Sequence, residues 1–153
     1  MIRNTRVFLG LLFLFAAPVL FAKGPEDAIQ KQMDHLRDLS KAERPGATAK
    51  LATDIMALAA GKSKVTLADN LSHIATEGDQ GAETIQAVAD TLSHALTETP
   101  IPAKKDWPPA PYFDLARLVR YEHATSTLND PLFAKASDAL AKNDAEVEKL
   151  ISL

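Results

Sequence analysis

The sequence predicts an all-α protein: an irregular bundle or short α-array of six or seven short helices behind an N-terminal signal peptide. Three observations predict it. Apolar residues recur at helical spacing in separate segments that end at glycine or proline. No window alternates apolar and polar residues with period two over β-branched side chains, so no strand is expected. The chain has no cysteine, so its stability has to come from packed apolar stripes and not from disulfides.

The first 22 residues read as an export signal. Arg3 and Arg6 form a basic head, Val7 to Ala22 carry no charge, and Ala22 closes the run before Lys23-Gly24-Pro25. The apolar run is short for a membrane span, which takes roughly 20 residues, and Gly10 and Pro18 interrupt it. The expected product is periplasmic or secreted, with membrane contact only through an uncleaved signal segment. The remainder, 23–153, suits one domain with a real core.

Removing Arg3 and Arg6 with the signal leaves 15 basic against 20 acidic residues, a net charge of −5. No basic stripe interleaves with aromatics, so nucleic acid is not an expected partner. Without cysteine the chain carries out no thiol chemistry and holds no iron–sulfur cluster or c-type haem.

Pro25-Glu26-Asp27 opens a first helix, with proline in the first turn and acids at the positive end. Ile29, Met33 and Leu36 continue it to about Leu39, and Arg44-Pro45-Gly46 is expected to break it. A second helix spans about 47–60 on Leu51, Ile55 and Leu58. A third starts near Ser63 as N-cap, with Leu67, Leu71 and Ile74 inward. A fourth runs from about Gly81 to Thr97 on Ile85, Val88, Leu92 and Leu96. Residues 99–111 (TPIPAKKDWPPAP) hold five of the nine prolines and read as a stiff extended connector. A fifth helix follows over about 112–124. Asp130 caps a sixth that begins at Pro131 and carries Phe133, Ala136 and Leu140. Asn143 and Glu146 suggest a capping box opening a last short helix. Short loops favour antiparallel neighbours.

One helix is written twice. Leu67 to Glu77 aligns with Val88 to Glu98 at an offset of 21, with seven of eleven positions identical. The repeat places Asp69, His73 and Glu77 on one face of the third helix, and Asp90, His94 and Glu98 on one face of the fourth. Two such rows brought together would offer imidazole and carboxylate ligands to a divalent metal. However, His94 lies about 160° around the helix from its apolar stripe, and His73 is similarly placed. The expectation is therefore two solvated faces with local ion pairs, with these six residues the candidates should a metal bind. Asp69, Ser72 and His73 do not make a catalytic triad, because adjacent helical residues diverge by about 100° and no strained turn exposes the serine. No catalytic residue, cofactor or turnover is expected.

Beyond the signal, all five aromatics fall between Trp107 and Phe133. Either the connector folds back and pins Trp107 over the bundle, with Phe113 and Phe133 in the core, or the aromatics form a docking patch for a partner protein. The partner-binding candidates are Trp107, Tyr112 and Tyr121.

The runs LADNLSHIATEGDQGAETIQAVADTLSHAL (67–96) and PPAPYFDLARLVRYEH (108–123) resemble a helical region found upstream of thioredoxin-like (redoxin) domains in exported bacterial proteins of the thiol–disulfide oxidoreductase type. In such proteins the active cysteines lie in the later domain, so no catalytic residue carries over to this cysteine-free chain. The resemblance implies an accessory helical module, free-standing or the front part of a redox protein, whose partner is a thioredoxin-like protein. The function expected is a non-enzymatic interaction module of the cell envelope. The alternative is a metal-binding helical protein using His73 and His94.

Overall fold

The computed structural model describes residues 24–152; the expected signal segment lies outside them. Among the described residues there are six α-helices and no strand: α1 Pro25–Asp34, α2 Arg44–Met56, α3 Lys62–Ala75, α4 Ala82–Glu98, α5 Ala110–Tyr121 and α6 Pro131–Ile151. This is the all-α helical array that the spacing predicts.

α1 starts at Pro25 with Glu26 and Asp27 in its first turn, and a 3₁₀ turn over Leu36–Asp38 continues it. Proline belongs at the start of α2, where a missing N–H costs nothing; Arg44-Pro45-Gly46 therefore opens that helix instead of separating it from α1. A reciprocal Ser40/Glu43 pair closes the turn just before it. The Glu43 N–H donates to Ser40 Oγ at 3.3 Å, and the Ser40 N–H donates to Glu43 Oε2 at 3.3 Å. α3 begins one residue before Ser63, and Gly61 holds the N-cap position without a side-chain cap. Gly81 precedes α4 at φ 77°, a conformation that disfavours a side chain.

α4 is the central helix, packing against α2, α3 and α5. Val88, Ala89, Leu92, Ala95 and Leu96 are fully buried along it, and the alanines let neighbouring backbones approach closely. α3 and α4 are antiparallel: Lys64 at the start of one lies 2.7 Å from Glu98 at the end of the other. Lys64 is only 2% exposed. Its ammonium also donates to the carbonyls of Met56 at 2.7 Å and Leu58 at 3.1 Å, closing the C-terminal end of α2 whose carbonyls have no helical partner.

α5 and α6 depart from the antiparallel expectation. Tyr112 at the start of α5 donates its hydroxyl to Asp130 at the start of α6, 3.3 Å away. At the far ends, Tyr121 donates to Asp144 at 2.8 Å, and Arg120 pairs with the same carboxylate. The two helices are therefore parallel, and residues 122–130 return the chain along α4 as an extended strap. The Gln86 side chain grips this strap like a strand neighbour: its amide donates to the Thr125 carbonyl at 3.0 Å and its carbonyl accepts from the Thr125 N–H at 2.9 Å. Ser93 and Ser126 share a hydrogen bond of 2.8 Å.

Asp130 caps α6 as expected, accepting from the Leu132 N–H at 2.7 Å. No break occurs at Asn143; α6 continues through Glu146 to Ile151 as one helix. Val147, Leu150 and Ile151 are consequently exposed on its last turns.

Candidate functional site

Two features stand out from the packed frame: a carboxylate pair where α3 meets α5, and a tryptophan displayed on the connector.

On α3, Asp69 and His73 lie one turn apart on the same face. α5 packs against that edge and brings in Asp114, which is 5% exposed. His73 Nε2 lies 3.3 Å from Asp114 Oδ2. Arg117, three residues along α5, donates to the other oxygen, Asp114 Oδ1, at 2.5 Å. This fixes the carboxylate with Oδ2 towards the imidazole. Burial pushes the Asp69 carboxyl up to about 7; the negative charge of Asp114 and a hydrogen bond with it push the same way, and His73 opposes them. Asp69 Oδ1 is covered and accepts no hydrogen bond. Asp69 also lines a cavity of about 220 Å³ between α3 and the connector, bounded by Lys62, Val65, Thr66, Ile101 and Pro111.

Of the six residues the repeat singles out, the fold joins Asp69 and His73 and distributes the other four. Glu77 binds Arg37 through both oxygens, at 2.7 and 2.5 Å, and this pairing holds its carboxyl below the usual range. Asp90 accepts from the Gln86 amide at 2.8 Å. His94 Nε2 lies 3.3 Å from Glu98 Oε1, and Glu98 is held low chiefly by its hydrogen bond from Lys64. Among the described residues, one group of three ligating side chains converges, Asp69, His73 and Asp114, with atoms within 4.8 Å of one another; it does not include His94. The two histidines are exposed, at 56% and 46% of their side chains, as the face analysis predicts. Asp69 is not, because α5 covers it. Ser72 donates to the Asp69 backbone carbonyl at 2.6 Å, so it takes no part in the cluster.

Asp114, Arg117 and Lys64 carry the polar chemistry and were not singled out from sequence. Asp114 and Arg117 are spaced i, i+3, as in any surface pair. The one available signal is that Asp114 sits directly beside the buried Leu115.

The aromatic candidates part company. Tyr112 is fully buried and cannot be a docking residue. Its phenol accepts from the Ile101 N–H at 3.3 Å and donates to Asp130, tying connector, α5 and α6 together, and burial raises its pKa. Tyr121 is 46% exposed, but its hydroxyl is engaged with Asp144 at the opposite end of α5 from the connector. Trp107 is 56% exposed and is not pinned over the core; its ring lies 5.4 Å from that of Phe113, centroid to centroid. Phe113 and Phe133 pack half-buried against the core.

The backbone around Trp107 is a tight reversal. Lys104 and Trp107 exchange two N–H···O bonds of 3.1 Å, and Lys105 and Asp106 between them both have positive φ, 52° and 61°. This is the I′ geometry that glycine and asparagine usually supply; for L side chains it costs roughly 1–2 kcal/mol per residue. Lys135 of α6 donates to the Asp106 carbonyl and braces the turn.

Comparison of the chain with protein-family models, with curated proteins and with solved structures finds no match.

Proposed function

We propose that this chain is a non-enzymatic interaction module of the cell envelope, exported by its N-terminal signal, and that its contact point is the Lys104–Trp107 turn. One observation carries the reading: a strained, doubly hydrogen-bonded turn, braced from α6, holds a tryptophan 56% exposed. A core-filling tryptophan needs no such display. Strained backbone clusters at functional sites, and tryptophan is among the residues enriched at interface hot spots. Lys104 and Lys105 precede it in the turn, with Asp106 between, placing two cations beside the ring on an otherwise acidic protein. The partner class suggested by the resemblance to redoxin-associated helical regions is a thioredoxin-like protein.

The test is site-specific photocrosslinking in intact cells from position 107, with position 50 on α2 as an exposed control. A discrete protein adduct from 107 that is absent from 50 supports the module. Identical patterns from both positions would overturn the assignment of the turn.

A further inference from the structure

We infer that Asp69, His73 and Asp114 form a binding site for one divalent transition-metal ion at the α3–α5 contact. This goes beyond the interaction module and does not depend on it.

Three features of the geometry support the site. First, the ligand atoms come from two helices already packed together, so most of the ordering is done by the fold. Asp69 and His73 are spaced i, i+4 on α3, and Asp114 reaches them from α5. Ligands of one ion at 2.0–2.2 Å are separated by about 4.4 Å at most and by about 3.4 Å in a tetrahedral site; the three atoms here lie within 4.8 Å, so closing on a cation takes a contraction of roughly 1 Å. Second, the outer contacts are those a metal site needs. Arg117 occupies Asp114 Oδ1 at 2.5 Å and leaves Oδ2 facing His73, and such a partner fixes a carboxylate ligand's orientation. Third, Asp69 Oδ1 is a sealed acceptor with no donor, a state that costs free energy in a folded protein. A cation would relieve it.

Charge points the same way. Arg117 of α5 pairs with Asp114, and Lys62 of α3 lines the cavity beside Asp69 without an ion pair to it, so the Asp69 carboxylate is the charge a cation would balance. One imidazole nitrogen with two carboxylate oxygens suits zinc, manganese or iron(II) more than calcium or magnesium, which favour oxygen ligands only.

The test is calorimetric titration of ZnCl₂ into the chelator-stripped mature chain, with CaCl₂ as contrast. The site predicts one equivalent of zinc bound per chain. Asp69→Asn and His73→Gln each weaken binding at least about tenfold, whereas His94→Gln leaves it unchanged. His73 is largely exposed, so its variant keeps the fold, checked by circular dichroism. Absence of zinc binding in the wild type, an equal loss in His94→Gln, or calcium binding as strong as zinc overturns the site.

Discussion

The Lys64 ammonium lies 2.7 Å from the Glu98 carboxylate, and the same ammonium satisfies two carbonyls at the end of α2. One side chain thus joins three helices at a point where backbone acceptors would otherwise be bare. Removing one member of a buried pair leaves its partners uncompensated, at a cost of about 3–5 kcal/mol. Lys64→Ala is expected at the lower end, about 3 kcal/mol, because Glu98 retains access to water. Glu98→Gln is expected to cost less. Urea denaturation at pH 7 measures both, and a Lys64→Ala loss below about 1 kcal/mol would contradict the joint.

Tyr112 holds a second junction. Tyr112→Phe keeps the ring but strips the hydroxyl from the Ile101 N–H and the Asp130 carboxylate. An unsatisfied buried polar group costs about 1–3 kcal/mol, so a loss of about 1–2 kcal/mol is expected, visible in thermal melts.

Asp69 sets a pH dependence whose sign follows from its environment. Its folded value, about 7, stands above the ordinary 3.8, so the folded protein holds a proton that the unfolded chain releases. Its contribution to stability is full below about pH 4 and declines as pH rises to about 7, then levels off. Asp69→Asn removes this component. The difference in unfolding free energy between wild type and variant should therefore change across pH 4–7 in favour of the variant at the upper end. Parallel curves would refute the raised Asp69 value.

Trp107 reports on its own display. At 56% exposed, its emission should be red-shifted and readily quenched by acrylamide, and Trp107→Ala should cost less than about 1 kcal/mol. A blue-shifted, protected spectrum would mean that the ring is covered in solution.

His123 terminates α5 at φ 60°, with the Ala124 N–H donating to the Leu118 carbonyl at 3.1 Å. Glycine prefers this left-handed position, so His123→Gly should stabilise the protein by up to about 1 kcal/mol, read as an increased denaturation midpoint.

The helices were legible because each apolar stripe has its own period and each boundary its own chemistry: Pro25 and Pro131 open helices, and Gly61 and Gly81 sit at their edges. Boundaries failed where a residue type serves two roles. Pro45 fits a breaker or an opener equally well in sequence and here opens α2, and Asn143/Glu146 resembles a cap but lies within α6, whereas Ser40/Glu43 holds the reciprocal bonds. The solvent-facing placement of His73 and His94 followed from angle alone. Asp69 did not, because its burial depends on which helix lies over that edge, and periodicity carries no such information. The parallel course of α5 and α6 was hidden for the same reason: an extended strap of nine residues looks like any loop until Gln86 and Ser93 are seen to hold it. Tyr112, classed among the docking aromatics, carries its polar tip into the interior, and only the position of Asp130 reveals why.

The way α6 is attached has a consequence for how the molecule breathes. α6 rests chiefly on α5, and its last turns reach past Asp144 into solvent, whereas α2, α3 and α4 enclose one another. Amide exchange should accordingly fall into two tiers: slow, globally limited protons in the α2–α4 block, and faster ones in α6 that open by sub-global peeling without dissolving the rest. Such an opening lifts the Asp130 and Lys135 contacts together, so the tryptophan turn loses its brace each time the terminal helix swings away.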